Sequence, residues 1–311
     1  MVCAHQNKTK YAAFNSSVFF TCADCGLVFN SGTAFVPESL YEDYYKNEVG
    51  GRFGAGVELV VRLMRFFRAF KMYTISSKAK TILDVGCGRG FMLFFLKNYF
   101  HYEKAIGTQI SRPAIEFARR RLLLDIRDKD LPEINFEADS FEIVSMLHVL
   151  EHVKNPEEYV REIHRILKPG GKFVVEVPNF SSWTRKMTGR YWLSLDLKYH
   201  LTFFSPETLS ALLKKYGFKI RQTNTFSLEY STFTSTQSLV NLMTGTENLF
   251  FRWIQSEKVG PWVWFHPALF AIISPVCFLI NLLLYFSKKG ERTGSFQIKY
   301  SYVLFFASKR A

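Results

Sequence analysis

The stretch that decides the fold is Thr81-Ile82-Leu83-Asp84-Val85-Gly86-Cys87-Gly88-Arg89-Gly90. An aliphatic run ends in an acidic residue and then turns through glycines at alternate positions. An apolar, helix-like segment, Phe91 to Leu96, follows at once. Strand, tight turn and helix start in that order are the layout that holds a nucleotide-like ligand. Gly86 and Gly88 allow positive φ and close backbone approach, and the unpaired N–H groups of the next helix face the ligand. Asp84 stands before the glycines, where a carboxylate can meet a cationic amine; a pyrophosphate site would not place an anion there. The turn also lacks the Lys-Ser/Thr pair of a P-loop, which disfavours phosphoryl transfer.

Working outward, strands and helices alternate. Strands are expected at 81–85, 104–108, 141–146 and 172–177, with helices at 90–99, 112–123 and 156–167. The alternation predicts a parallel sheet with helices on both faces. Ser205 as N-cap, Pro206 at the first position and Gly217 as stop frame a helix over 206–216. A strand near 218–226 follows, and another is expected at about 296–307. Before the glycine turn, Val57, Val60, Val61, Met64 and Phe67 fall near helical spacing, so 57–73 reads as a helix. Arg62, Arg65, Arg68 and Lys71 make it basic. It is expected to pack on the sheet; the sharper alternative is a membrane-surface or substrate lid.

Four further motifs carry a resemblance. These are Ser140-Phe141-Glu142-Ile143-Val144-Ser145-Met146-Leu147-His148-Val149-Leu150-Glu151-His152-Val153, then Leu167-Lys168-Pro169-Gly170-Gly171-Lys172-Phe173, Tyr199-His200-Leu201-Thr202-Phe203-Phe204-Ser205-Pro206-Glu207-Thr208-Leu209, and Tyr216-Gly217-Phe218. With the glycine turn, in this order and spacing, the chain resembles the class I S-adenosylmethionine-dependent methyltransferases over about Lys80 to Arg221 and again at the C-terminal strand. The resemblance implies a Rossmann-like α/β fold: a seven-stranded, mostly parallel sheet whose last strand runs antiparallel. The implied division is a zinc-knuckle-like module at 1–36, the methyltransferase core at 37–230, a hydrophobic helical insertion at 231–294 and the last strand at 295–311. S-adenosyl-L-methionine is the implied cofactor, with Asp84, Gly86, Cys87, Gly88 and Gly90 at its amino-acid end. Gln109, followed by Ile110, stands where related chains carry the acidic residue that chelates the ribose hydroxyls. An amide still accepts and donates but lacks the charge-assisted strength of a carboxylate. Asp130 and Leu131 are the candidates near the adenine amine, with Asp128 close behind. Leu147 ends the strand that borders the cofactor.

Methyl transfer from a sulfonium is an in-line displacement, so the enzyme aims a nucleophile and, for a hydroxyl, accepts its proton. Imidazole suits a base near neutral pH. His148, His152 and His200 are the catalytic candidates, with His200 the first choice for base or substrate contact. His148, Glu151 and His152 share one turn at spacings of three and one, which suits either a divalent metal or hydrogen bonds that pin a helix start. Asn179 is a further substrate-contact candidate. O-methylation is favoured. The resemblance says little about the acceptor.

The 311-residue chain carries a net charge of +13 and 32 phenylalanines. Its basic residues are scattered among aromatics with no long basic run, so an anionic membrane surface is expected and nucleic acid is not. Five cysteines do not form a disulfide framework. The first twenty residues lack the apolar core of a signal peptide, and a cytoplasmic, membrane-associated setting is expected. Cys22 and Cys25 read as a knuckle turn which, with Cys3 and His5, offers four zinc ligands. Trp262 to Phe286 runs without Asp, Glu, Lys or Arg and is long enough to span a bilayer. If the strands on either side of it pair in one sheet, both ends lie on one face of the membrane. That geometry predicts a re-entrant or in-plane hairpin broken near Ser274-Pro275, overhanging the active site and suited to a small or lipid-linked acceptor.

Overall fold

Three strands open the computed structural model: Lys8–Phe14 (β1), Ser17–Cys22 (β2) and Val28–Asn30 (β3). The residues described are 6–14, 17–30, 55–197, 199–224, 230–254, 265–287 and 302–309. Then come Ala55–Ile75 (α1), Thr81–Val85 (β4), Phe91–Tyr99 (α2), Lys104–Thr108 (β5), Arg112–Leu122 (α3), Asp125–Arg127 (β6) and Leu131–Ile134 (α4). Phe141–Leu147 (β7), Pro156–Ile166 (α5), Leu167–Pro178 (β8), Trp183–Thr188 (α6), Thr202–Phe203 (β9), Pro206–Lys215 (α7) and Phe218–Asn224 (β10) follow. The chain continues through Ser231–Thr244 (α8), Leu249–Ile254 (α9), Phe265–Ser287 (α10) and Tyr302–Lys309 (β11).

Seven strands form one sheet in the order β10-β11-β8-β7-β4-β5-β6. β4 pairs in parallel with β5 on one side and β7 on the other, and β7 pairs in parallel with β8. β11 runs antiparallel to both β8 and β10. The expected sheet and its reversed strand are therefore present. Helices cover both faces, which is why Ile143, Val144 and Met146 of β7 and Phe173, Val174, Val175 and Val177 of β8 are all fully buried rather than alternating. The chain lays β5 and β6 on one side of β4 and then crosses to β7 and β8 on the other, so a crevice opens beyond the carboxyl ends of β4 and its neighbours.

Several local outcomes differ from expectation. Strand β6 and the single turn α4 carry too little periodicity to be read from sequence. Lys168-Pro169-Gly170-Gly171, expected as a turn, lies within β8 as an irregularity: Phe141 pairs with Leu167, but Ile143 already pairs with Lys172. β1, β2 and β3 form a four-stranded sheet with β9, so the N-terminal strands share a strand that immediately follows His200. In α1 the expected stripe is not the packed face: Ala69 and Met72 are buried instead, while Val60 and Phe67 of that stripe, with Leu59, Leu63 and Phe70, stay about half exposed or more.

The apolar insertion holds the largest departure. α10 is continuous through Pro275 rather than broken there. A proline inside a helix forfeits one hydrogen bond and tends to kink it, but α10 is seated against α8 on both sides of the proline. His266, Cys277 and Asn281 are the buried residues of its inner face. α8 is polar and buried on more than one side: Ser231, Thr234, Ser235, Thr236, Gln237, Ser238 and Asn241 are all essentially fully buried, with Ser238 and Asn241 turned to Leu193 and Tyr191. Asn281 donates toward Ser235 Oγ at 3.5 Å, and Gln237 donates to Asn241 at 2.8 Å.

Phe173 of β8 is fully buried in the core, its ring 5.5 Å from that of Phe218 on β10. Phe173→Ala is expected to cost about 3–5 kcal/mol of stability, measured by urea unfolding; a loss under about 1 kcal/mol would mean the core closes over the gap.

Candidate active site

The glycine turn is shaped by close contacts. A Cβ at Gly86 would lie 2.3 Å from Val149 Cγ2, and Gly86 has φ +69°. At Gly90, which starts α2 at φ +78°, a Cβ would lie 2.6 Å from Leu124 Cδ1. The turn is tied to β5: Gly86 N–H donates to Thr108 Oγ1 at 3.3 Å, and Cys87 N–H to the Thr108 carbonyl at 3.0 Å. Arg89 projects from the turn, lies over the rings of Phe91 and Phe117, and pairs with the buried Glu58 of α1. α1 is thus latched to the turn by an ion pair.

Asp84 is the penultimate residue of β4 and is 5 % exposed. Ser145 Oγ donates to its Oδ1 at 2.7 Å. Burial pushes the Asp84 carboxyl up to about 6, against the opposing pull of Ser145, Arg68 and Arg65. An ammonium ligand would replace the lost hydration and favour the ionised form. A buried carboxylate, a turn of left-handed glycines and a helix start converge at the sheet's switch point, and this donor set fits the amino-acid end of S-adenosylmethionine.

Gln109 follows β5. Its Oε1 accepts from its own neighbours, Ile110 N–H at 2.8 Å and Ser111 N–H at 3.1 Å. With its oxygen so engaged, what it offers a ribose is its amide NH2, a donor. Asp130 caps α4, accepting from Leu131 N–H at 3.0 Å, and its carboxylate pushes the Tyr159 hydroxyl up beyond the effect of burial. Leu131 is fully buried in the core. Asp128 is exposed and pairs with Arg119 at 3.5 Å.

Beyond β7 the chain turns at His148, which has φ +58°. Its N–H donates to the Glu176 carbonyl at 2.8 Å. The imidazole lies between two buried carboxylates, with Nδ1 3.6 Å from Glu151 and Nε2 3.7 Å from Glu176. Burial alone would lower its pKa; Glu151 and Glu176 overcome that and raise it to about 10. Burial likewise opposes ionisation of Glu176, yet His148, Arg68 and Lys71 hold that carboxyl at about 2. His148 is therefore a fixed cation at neutral pH. His152 and His200 behave oppositely. Burial lowers both, and His200 lowers His152 further. They are neutral imidazoles, their rings 4.7 Å apart.

The structure thus gathers Asp84, Gly86, Cys87, Gly88, Gly90 and Gln109 at the carboxyl edge of β4 and β5. It gathers His148, His152 and His200 beyond β7, where Leu147 ends the strand. Asn179 is buried and turned onto Ser181, its Oδ1 accepting at 3.0 and 2.9 Å. Of the zinc candidates, Cys22 is buried and Cys25 half-buried on the turn after β2; Cys3 and His5 lie outside the described residues. Sequence reading missed Glu176, Ser145, Glu58 and Tyr230. Glu176 had left a sign: a lone carboxylate inside Val174-Val175-Glu176-Val177.

The sequence profile of the methyltransferase-domain family matches residues 58–223, more than half of the chain. The chain belongs to this family. The match bears out the resemblance to S-adenosylmethionine-dependent methyltransferases. A ubiquinone biosynthesis O-methyltransferase of Coxiella burnetii is 29 % identical over 110 residues, 34 % of this chain and 46 % of that protein. A "Probable S-adenosylmethionine-dependent methyltransferase" of Mycolicibacterium smegmatis is 27 % identical over 146 residues, 46 % of this chain and 54 % of that one. The chain thus spans about half the length of these curated relatives. Among solved structures, a "putative sarcosine dimethylglycine methyltransferase" from Galdieria sulphuraria superposes with TM-score 0.51 at 15 % identity, covering 88 % of this chain and 98 % of its own. That likeness supports the fold.

For this methyltransferase-domain chain, the raised Asp84 pKa sets a pH window. Its folded value lies above the ordinary 3.8, so ionised Asp84 destabilises the fold, and that penalty fades as pH falls through about 6. Binding an ammonium needs the carboxylate. Affinity for S-adenosylmethionine is expected to be flat above pH 7 and to fall toward about tenfold per unit below pH 6, measured by calorimetry. Asp84→Asn is expected to bind at least about tenfold more weakly at pH 7.5 and to lose this pH dependence. An unchanged affinity in the variant would remove Asp84 from the site.

Proposed function

We propose that the chain transfers the methyl group of S-adenosylmethionine to a hydroxyl of a small, sugar or lipid-linked acceptor at a membrane surface. The observation that carries this is the pairing of two sites: a buried carboxylate beside the glycine turn, and a buried Glu151–His152–His200 group just beyond the next strand. The cofactor, when bound, supplies an activated methyl on a cationic sulfur. The protein's own residues do the rest. Asp84 and the turn from Gly86 to Gly90 hold the amino-acid end, and Gln109 meets the ribose. The latch between Glu58 and Arg89 keeps α1 over the turn and water out. The acceptor hydroxyl lies against the neutral imidazoles of His152 and His200, whose lone pairs suit them to take up what it gives off. His148, held as a cation between Glu151 and Glu176, positions the turn that carries them.

Calorimetric titration with S-adenosylmethionine is the first test, with micromolar-range binding expected. No heat at millimolar ligand would favour a second reading, a methyltransferase fold without activity. Gln109, its oxygen folded back on its own main chain, is the feature that favours that reading.

The membrane part rests on α10 and α8, which are inverted relative to a water-soluble helix pair. Their shared seam includes the Asn281–Ser235 contact beside the Phe233–Phe270 ring pair, while Phe265, Ile272, Val276, Leu279 and Leu283 of α10 and Met243 of α8 lie more than half exposed. Among the described residues, α10 holds the one stretch long and apolar enough to cross a membrane, Phe265–Leu283. The net charge of +13 favours anionic headgroups. The protein is expected to pellet with phosphatidylglycerol vesicles. Ile272→Glu with Leu279→Glu is expected to release most of it without loss of helical circular dichroism; full recovery of the wild type in the soluble fraction at low salt would defeat the membrane reading.

A further inference from the structure

The sequence pattern groups His148, Glu151 and His152 on one turn. The fold regroups them. His148 leans between Glu151 and Glu176, and His200, from a separate segment, takes its place beside Glu151 and His152. One carboxylate oxygen and one nitrogen from each of these two imidazoles lie within 4.8 Å of one another.

Three observations show what this group is built to hold. The first concerns the imidazoles. His152 Nδ1 lies 3.0 Å from the Tyr199 carbonyl, and His200 Nδ1 lies 2.9 Å from the Ser194 carbonyl. A carbonyl only accepts, so Nδ1 carries the hydrogen in both rings and Nε2 carries the lone pair. A backbone carbonyl on one nitrogen is how proteins orient the other toward a metal. The second is Glu151. It is 2 % exposed, and neither carboxylate oxygen receives a hydrogen bond among the described residues. An ionised carboxylate so placed is costly unless a cation meets it, and His148 reaches only one of its oxygens, at 3.6 Å. The third excludes mere pinning of the turn as an explanation. The Glu151 carbonyl already accepts from Leu201 N–H at 2.8 Å and Thr202 N–H at 3.1 Å, so the main chain stitches the two segments without the carboxylate.

We propose that Glu151, His152 and His200 bind one divalent first-row transition ion. Two neutral imidazoles and one carboxylate suit zinc, manganese or iron and leave coordination positions open. The binding stands by itself; its use rests on the function proposed above. An acceptor hydroxyl on an open position would have its pKa lowered and release its proton to solvent. Its oxygen then forms the carbon–oxygen bond as the methyl–sulfur bond breaks, the electron pair remaining on sulfur. In that arrangement the lone pairs of His152 and His200 are on the ion, which takes over from the two imidazoles the part of activating the hydroxyl.

The test uses chelator-treated full-length protein without S-adenosylmethionine. Mn2+ is followed by electron paramagnetic resonance and Co2+ by absorption. One ion per chain is expected, with spin-echo modulation from imidazole nitrogen on Mn2+ and no thiolate charge-transfer band on Co2+. A thiolate band would move the ion to Cys22 and Cys25 and overturn the proposal. His152→Asn and His200→Asn each keep an N–H for the backbone carbonyl but lose the second ring nitrogen. Each, like Glu151→Gln, is expected to weaken Mn2+ binding at least about tenfold. Unchanged affinity in all three, or no bound Mn2+ at millimolar concentration, would overturn it. Should a variant misfold, the imidazole modulation in the wild type still decides. A chain that binds Mn2+ but not S-adenosylmethionine would uphold this site and defeat the methyl-transfer reading; the converse result would do the reverse.

Discussion

A single buried carboxylate constrains the centre of this molecule. Asp84 lies one residue from the end of β4, an interior strand of the sheet, so its neighbours on both sides are fixed by register: Gly107 on β5 and Ser145 on β7. Neither position is free. A Cβ at Gly107 would lie 2.5 Å from Cys87 Sγ, so the absence of a side chain there lets the glycine turn settle against the sheet. Ser145, fully buried, supplies the one hydroxyl that partners the carboxylate. Strand order, the small residue at 107 and the hydroxyl at 145 thus all serve one acid, and the raised pKa records what its solvation lacks until a cation arrives.

The histidine group beyond β7 solves the opposite problem, too many charges rather than one. Glu151 and Glu176 are both buried, and desolvating two carboxylates costs several kcal/mol each. One imidazolium, His148, lies between them, and Arg68 and Lys71 of α1 add a distant positive field at Glu176. Arg65 and Arg68 also donate to the Tyr230 hydroxyl at 3.4 and 3.3 Å, and the Tyr230 ring meets His148 edge-on at 4.4 Å. The helix latched to the glycine turn is therefore the helix that balances the histidine group. Moving α1 would disturb both at once, which makes the Glu58–Arg89 pair a coupling element as well as a latch.

The parts legible in sequence were those with local causes. The glycine turn, the alternation of strands and helices, and the Ser205 cap are each written within a few residues, and the cap appears as a full capping box with Thr208. What escaped depends on partners far along the chain. The regrouping of the histidines requires His152 to meet a carbonyl 47 residues away, which no spacing rule encodes. The pairing of Val28 and Phe29 with β9 is equally remote. Pro275 misled because a proline is a local signal for a break, whereas the continuity of α10 is enforced from outside by α8.

That external enforcement bears on the insertion as a whole. In water a helix pair hides its apolar faces and exposes its polar ones. Here serines, threonines, Gln237, Asn241 and Asn281 face inward, and leucine, isoleucine, valine and phenylalanine face out. In hydrocarbon no apolar drive holds helices together, so small residues and interhelical hydrogen bonds must do so. The α8–α10 seam has that composition. The antiparallel pairing of β10 with β11 returns the chain to the sheet beyond the insertion, and α8 is tied to the core side as well: Ser238 Oγ accepts from Leu193 N–H at 2.9 Å, and Asn241 donates to the Tyr191 carbonyl at 3.1 Å. On the membrane reading proposed above, the apolar outer face of α10 sits in surroundings that are themselves apolar. A substrate reaching the histidine cluster past α8 would then arrive from that apolar phase.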